Sequence, residues 1–293
     1  MNNYKKDARQ RTKSSFAKGE RKNFRNDRLE YQKNGNFKNR NDETEENSGI
    51  VFGRNAVLEL LKSERTVDKI FVRSGDREGS IVLIVGMAVE KGIPVIEVDK
   101  QKLDNMVFSG AHQGVVALAS QKEYCSVDDI LEIAKERNEK PFIVIADNIE
   151  DPHNLGAIIR SAECVGAHGL IIPKRHSVGL TMQVAKASAG AIEHLAIAKV
   201  ANIATTIEAL KEKGIWVYAA EAGGDNYYET DFNVACAIVL GSEGSGVSRL
   251  VKERSDYIVS IPMYGKINSF NVSAAAAIIL SEVSRQHRGG KAK

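Results

Sequence analysis

The sequence predicts an α/β protein with a parallel sheet, and two patterns carry this prediction. From residue 141 onward, short apolar runs alternate with segments whose apolar residues recur at the helical period. Residues 142–146 form a continuous apolar run, as expected of a parallel strand buried on both faces. Such alternation gives a sheet covered by helices on both sides, in which ligands bind beyond the carboxyl ends of the strands.

The elements of this larger part follow one another closely, and we assign residues 141–293 to one domain. Strands are predicted over residues 142–146, 170–172, 216–220, 237–240 and 257–261. Helices are predicted over residues 154–165, near 180–189, over 203–213 and over 272–287. Glycines close two of these helices, at Gly166 and Gly214.

A smaller α/β unit is predicted over residues 49–121. Its strands are expected at 67–72, 95–98 and 115–118, and its helices at 56–61 and 78–91. Residues 122–140 are polar around a few spaced apolar side chains, so we expect a linker that contains a short helix.

The first 48 residues are predicted to be a disordered basic tail. Residues 1–40 hold 13 Lys or Arg against 4 Asp or Glu, although the whole chain carries a net charge of only +3. With almost no aliphatic side chains, this segment cannot offset the entropy cost of ordering. Its cations and scattered aromatic residues suit RNA phosphates and unpaired bases, but a tail that only aids solubility remains an alternative.

Several classes of protein are excluded or disfavoured by composition. No apolar stretch is long enough for a membrane helix, so we expect no membrane association. The three cysteines, Cys125, Cys164 and Cys236, are far apart and odd in number, which favours a reducing, cytoplasmic compartment. The histidines show no metal-ligand spacing, so no metal is expected.

Three polar segments interrupt the larger domain at predicted carboxyl ends of strands. The first, residues 147–156, leads into a helix on which Asn154 is the predicted N-cap. Arg160 lies on this helix opposite its apolar face. For a single arginine on a helix, simple exposure to solvent is the commoner explanation.

The second and third segments are rich in glycine and in small polar residues. Residues 240–246 are glycine-rich, which lets the backbone approach a ligand, but the lysine of a P-loop is absent. Residues 261–273 form a predicted loop that ends in a helix beginning near Asn271. The alanines at 274–277 suit close packing of that helix against another segment, or simply high helix propensity.

In their order and sequences, the three segments together resemble the three motifs of the SpoU/TrmH family of RNA ribose 2′-O-methyltransferases, within the SPOUT superfamily. Asn154 and Arg160 correspond to the first motif, residues 240–246 to the second and residues 261–273 to the third. The resemblance spans residues 141–287. Phe270 stands where leucine is usual in this family.

The smaller unit also resembles that family's substrate-binding domain, which is similar to a ribosomal protein of the L30e type. Residues 52–57 and 112–115 carry this likeness. Together the two parts are most similar to the group that methylates guanosine riboses of bacterial 23S rRNA.

The resemblance implies a trefoil-knotted catalytic domain, a homodimer and S-adenosylmethionine as the methyl donor. It implies a cofactor pocket formed by Leu240, Gly241, Ile261, Pro262, Met263 and Phe270. It implies catalytic roles for Arg160, Asn154, Glu243, Ser269 and Asn271. For Arg160 we favour stabilisation of the ribose oxygen and positioning of phosphate over action as a base, because guanidinium groups keep their protons in proteins.

Three other functions remain to be compared with this one. The same chemistry on tRNA is the first, although the smaller domain favours rRNA. A noncatalytic RNA-binding or ribosome-assembly protein is the second, and the intact motifs argue against it. A nucleotide-dependent oxidoreductase is the third, and it is disfavoured because no dinucleotide fingerprint is present.

Overall fold

The structure is a computed structural model that describes residues 49–75, 78–107 and 112–289. The predicted disordered tail, residues 1–48, lies outside this range. Among the described residues, no helix has the length and apolar character needed to cross a membrane. The same residues contain no group of three or more His, Cys, Asp or Glu side chains placed to hold a metal ion.

The amino-terminal half is a four-stranded mixed sheet with helices on both faces. Its strands are β1 (Ile50–Phe52), β2 (Val67–Arg73), β3 (Val95–Val98) and β4 (Val115–Ala119). Its helices are α1 (Arg54–Lys62), α2 (Ser80–Glu90) and α3 (Lys100–Met106). The sheet order is β1-β4-β2-β3, and only β2 and β3 are parallel. Helices α1 and α2 bury their apolar residues against one face, and Leu103 of α3 packs on the other.

The carboxyl-terminal half is built on a six-stranded parallel sheet. Its strands are β5 (Phe142–Ala146), β6 (Gly169–Pro173), β7 (Ala196–Val200), β8 (Trp216–Asn226), β9 (Cys236–Leu240) and β10 (Tyr257–Ser260). Its helices are α4 (Val127–Glu136), α5 (Pro152–Cys164), α6 (Met182–Ala187), α7 (Ile203–Glu212), α8 (Arg249–Arg254) and α9 (Val272–His287), with a short 3-10 helix at Ala191–Glu193. The predicted α/β class with a parallel sheet is confirmed.

The order of these strands, β10-β8-β9-β5-β6-β7, places a topological switch point at the centre of the sheet. From β5 the chain builds outward through β6 and β7, and it returns later so that β9 pairs with the free side of β5. Helices α5, α6 and α9 cover one face, and α4, α7 and α8 cover the other. Open α/β sheets bind ligands at such a switch point, beyond the strands' carboxyl ends.

The two halves meet through a buried ionic contact. The guanidinium of Arg65, beside the amino-terminal sheet, donates to Glu193 at 2.8 Å and to the carbonyl of Ser120 at 2.6 Å. The ammonium of Lys122 donates to the carbonyl of Glu193 at 3.3 Å. Burial lowers the pKa of Lys122, and the Glu193 carboxylate opposes that shift. Removing one member of such a contact leaves an uncompensated buried charge, so these residues fix the two halves together.

Short elements account for most of what the sequence prediction missed. Strands β1 and β7 and helices α3 and α8 were not predicted. Strand β7 reads Ala-Ile-Ala-Lys-Val, in which two alanines and a lysine interrupt the apolar, β-branched run that marks a buried strand. It forms because β6 offers a parallel partner along its whole length, a tertiary contact that local sequence does not encode.

Candidate active site

The first two motif loops are tied together where β5 and β9 end side by side. The backbone N–H of Asp147, just after β5, donates to the carbonyl of Leu240 at 2.8 Å. The buried carboxylate of Asp147 accepts from the N–H of Ser248 at 2.7 Å. A charge-assisted bond of this kind holds the far end of the glycine-rich loop against the central strand.

The glycine-rich loop after β9 is closed by its own backbone. Ser242 and Gly246 exchange two backbone hydrogen bonds of 3.1 and 3.0 Å. A Cβ on Gly241 would lie 2.1 Å from backbone atoms of Gly246 and Val247, so only glycine fits there. From β8, the carboxylate of Glu221 accepts from the N–H of Val247 at 2.9 Å. Neither Glu221 nor Asp147 carries a local sequence signal for this supporting role.

Helix α5 begins two residues earlier than predicted, and Asn154 is not its N-cap. The cap is Asp151, whose carboxylate accepts from the N–H of Asn154 at 2.8 Å, and Pro152 occupies the first turn. Aspartate at the cap followed by proline is a favoured helix start. The side chain of Asn154 is therefore free to bond elsewhere.

Asn154, Glu243 and Asn271, one from each motif, are joined by hydrogen bonds. The amide of Asn154 donates to the Glu243 carboxylate at 3.1 Å, and the amide of Asn271 donates to the Asn154 side-chain oxygen at 2.9 Å. Asn271 also donates to Glu243. The Asn271 side-chain oxygen caps α9 by accepting from the N–H of Ser273 at 3.0 Å. Residues up to 117 positions apart thus converge at one place.

An open cavity of about 480 Å³ lies beside these three side chains. It is lined by Asn148, Ile149, Glu150, Asp151, Asn154, His176, Ser242, Glu243, Ser245 and Val272. Asn148 and His176 have positive φ values of 58° and 57°, which is unusual for residues other than glycine. Such backbone strain is concentrated at binding and catalytic sites.

Arg160 lies on the same helix as Asn154 but outside the hydrogen-bonded cluster. Arg160 follows Asn154 by six residue steps along α5, which corresponds to about 9 Å along the helix axis. The Arg160 side chain is exposed, as its position opposite the apolar face predicts. In the part of the chain that the structure describes, no hydrogen bond or ion pair holds it. Its guanidinium is therefore available to a ligand.

The residues predicted to hold the cofactor differ in their exposure. Leu240 and Gly241 are buried at the end of β9, and Ile261 and Pro262, just after β10, are half-buried. Met263, Ser269 and Phe270 lie in the exposed loop 261–271, which has no helix or strand. Tyr264 and Ile267 of that loop are 92% and 75% exposed. Several exposed apolar side chains in one loop are typical of a surface that covers a ligand or another chain.

A second cavity, of about 260 Å³, lies at the opposite end of the sheet. The buried ring of His168 accepts from the N–H of Phe142 at 3.0 Å and contacts the Glu139 carboxylate at 3.0 Å. Burial lowers the pKa of His168. These bonds fix the strand ends, so we regard His168 as structural.

Two family models match this chain. The model described as the SpoU rRNA Methylase family matches residues 141–281. The model described as RNA 2'-O ribose methyltransferase substrate binding matches residues 50–125. Together they account for both halves of the fold.

Curated relatives and solved structures agree with these matches. The putative TrmH family tRNA/rRNA methyltransferase YacO of Bacillus subtilis (strain 168) is 48% identical over 237 residues, covering 80% of this chain and 95% of the relative. A relative with the same family description from Staphylococcus haemolyticus is 45% identical over 238 residues, covering 81% and 95%. The crystal structure of the SpoU methyltransferase AviRb from Streptomyces viridochromogenes, in complex with AdoMet, has a TM-score of 0.69 and 25% identity, covering 86% of this chain and 96% of that one.

Proposed function

Because this chain belongs to the SpoU/TrmH family of RNA methyltransferases, as its motifs predicted, we propose that it transfers a methyl group from S-adenosylmethionine to a ribose 2′-hydroxyl of 23S rRNA, at a guanosine. The observation that carries the proposal is the hydrogen-bonded cluster of Asn154, Glu243 and Asn271. It brings the three family motifs to one edge of the sheet, beside an open cavity.

The residues at this edge fit a nucleoside donor. The closed turn at 242–246 and the buried Gly241 present backbone rather than side chains, as a preformed adenosine pocket requires. Met263 and Phe270 offer exposed apolar surface for an adenine ring. When bound, S-adenosylmethionine supplies an electrophilic methyl group on a sulfonium sulfur. We therefore assign adenosine binding to Leu240, Gly241, Ile261, Pro262, Met263 and Phe270.

Arg160 then acts on the acceptor. With the cofactor held at residues 240–241 and 261–270, its methyl group would exchange the sulfur–carbon bond for an oxygen–carbon bond at O2′, and the hydroxyl proton would pass to water. The guanidinium of Arg160 holds a neighbouring phosphate and stabilises the negative charge that develops on O2′. Asn154, Glu243, Ser269 and Asn271 orient the ribose, and holding the reactants in line contributes several kcal/mol to catalysis, on the order of effects seen for well-oriented groups.

We further propose that the chain works as a homodimer with a knotted catalytic domain. The exposed side chains of Tyr264 and Ile267, which are not assigned to the cofactor, support a second copy at this surface, since an isolated chain leaves them in water. In a dimer, Arg160 serves either its own cofactor pocket or that of the partner subunit.

A methyl-transfer assay tests the proposed function. The purified protein is incubated with S-adenosylmethionine labelled on its methyl group and with unmodified transcripts of 23S rRNA or of tRNA. We expect label in 23S rRNA at a guanosine whose 3′ linkage becomes resistant to alkali, because alkaline cleavage needs a free 2′-hydroxyl. Label in tRNA alone would replace the rRNA proposal. RNA binding without transfer to either transcript would make the protein a noncatalytic RNA-binding factor.

Replacing Asn271 by alanine tests the hydrogen-bonded cluster. The Asn271→Ala protein loses the cap of α9, which costs about 1 kcal/mol of folding stability. It also loses both bonds to the other motifs, so we expect methyl transfer to fall by more than about tenfold.

The matched control is Asn202→Ala, which removes the asparagine cap of α7, a helix on the opposite face of the sheet from α5 and α9. Thermal melting and transfer rate are measured for both proteins. We expect similar melting temperatures but a loss of transfer only in Asn271→Ala. Equal transfer rates would show that Asn271 is only a helix cap.

A further inference from the structure

Lys186 reaches from the carboxyl-terminal half to the amino-terminal sheet. It lies on α6, whose Met182 packs with Phe52 of β1. The Lys186 ammonium is 5.6 Å from the centroid of the Phe52 ring. A Cβ on Gly53 would lie 2.2 Å from the Lys186 Nζ, so glycine at this position lets the ammonium approach.

Arg54 is fixed beside the same glycine. Its backbone N–H donates to the side-chain oxygen of Gln113 at 3.0 Å, and its Nε donates to the Gln113 carbonyl at 3.0 Å. Gln113 holds a positive φ of 53°. Its neighbour Gly114 donates to the buried ring of His112 at 2.9 Å, which helps hold this turn. The two sequence segments that resembled the family's RNA-binding domain, 52–57 and 112–115, therefore meet at one point.

Lys186 lacks an anionic partner there. No hydrogen bond or ion pair to its ammonium is found among residues 49–75, 78–107 and 112–289. Burial lowers its pKa. A half-buried cation without an anion is costly, and the cost is recovered when an anionic ligand binds.

We propose that Lys186 binds a phosphate of the RNA backbone at the junction of the two halves, beside Phe52 and Gly53. This inference rests on the proposed function, because it gives the RNA a contact at the junction of the two domains. The ammonium comes from one half and Phe52 and Gly53 beside it come from the other, so the site exists only while the halves keep their relative position. The buried Arg65–Glu193 pair maintains that position.

The phosphate site is also held at a fixed position relative to the proposed catalytic residues by helix packing. Helix α6, which carries Lys186, packs on α5, which carries Asn154 and Arg160. The contact is tight at Gly156, where a Cβ would lie 2.4 Å from the Cβ of Ala187. A phosphate held at Lys186 is thus placed at a fixed distance from the cluster at the motif loops. The contact orients the RNA and takes no part in the chemistry.

Salt-dependent RNA binding tests this proposal. The Lys186→Met protein keeps the apolar stem against Phe52 and loses only the charge. Its affinity for an unmodified 23S rRNA transcript should fall roughly tenfold, and the slope of log Kd against log salt should decrease by about one. Lys186→Arg should retain most of the affinity.

The matched control is Lys135→Met on α4, which covers the opposite face of the sheet. Lys135 is exposed and, among the described residues, forms an ion pair with Glu132 of its own helix, so its loss should change neither affinity nor slope. S-adenosylmethionine binding by calorimetry should be unchanged in all of these proteins. An equal affinity and slope for Lys186→Met and Lys135→Met would overturn the proposal.

A second measurement needs no variant. Acetylation of lysines in the unaltered protein, with and without the transcript, should show that RNA protects Lys186 and leaves Lys135 reactive. Equal acetylation of Lys186 in both states would also overturn the proposal. If RNA protects Lys186 but no methyl group is transferred, the phosphate site stands and the proposed activity fails. If transfer occurs without protection of Lys186, the proposed activity stands and the phosphate site fails.

Discussion

Arg160→Ala should lower the rate of methyl transfer by at least about 10² to 10³-fold and leave S-adenosylmethionine binding nearly intact. A rate loss of this size is typical when one preorganised hydrogen-bond donor to a developing oxyanion is removed. Cofactor binding should survive because Arg160 is exposed on α5 and bonds to none of the described residues of the proposed cofactor pocket. Single-turnover transfer and calorimetry measure the two effects separately.

Two comparisons make this result specific. Arg160→Lys keeps the charge but loses the planar fork that binds phosphate in two places, so we expect only partial activity. Arg254→Ala removes an exposed arginine at the carboxyl end of α8 that pairs with Glu208 of α7, and it should transfer at the parental rate. Parental activity in Arg160→Ala would remove Arg160 from the mechanism.

Gly241→Ala should weaken S-adenosylmethionine binding about 100-fold. The new Cβ would lie 2.1 Å from backbone atoms of Gly246 and Val247, and backbone cannot move aside as a flexible side chain does. Forcing extra volume into such a site costs roughly 1–3 kcal/mol, here by opening the turn that we propose as part of the cofactor pocket. Calorimetric titration with S-adenosylmethionine gives the affinity directly.

Gly214→Ala is the control for general destabilisation. Gly214 follows α7 with a φ of +79° and has open space around its Cα, so alanine strains the backbone without a clash. It should lower thermal stability by about 1 kcal/mol and leave cofactor affinity unchanged. If Gly241→Ala binds the cofactor as tightly as Gly214→Ala does, the glycine-rich turn is not part of the pocket.

The sequence was sufficient for those features that depend on local pattern. The buried strands β5 and β9 are continuous apolar runs, and α9 spans the predicted residues 272–287. The motif order was enough to identify the family, because few folds combine those three segments.

Features that depend on contacts between distant residues were not predictable. The carboxylates of Asp147 and Glu221 act by accepting from Ser248 and Val247, partners 101 and 26 positions away. Asn154 was predicted as a helix cap because Asp151 and Pro152, which start the helix earlier, were read as part of the loop. The bond from Asn271 to Asn154 likewise exists only once the sheet has formed.

The most direct test of the account is a crystal structure of the full-length protein with S-adenosylhomocysteine bound. We expect the adenine to contact the backbone at Leu240 and Gly241 and the side chain of Phe270, with Arg160 of one subunit facing the sulfur. The account would be contradicted if the ligand occupied the cavity beside His168 at the other end of the sheet. It would also be contradicted if Arg160 lay far from the ligand in every subunit.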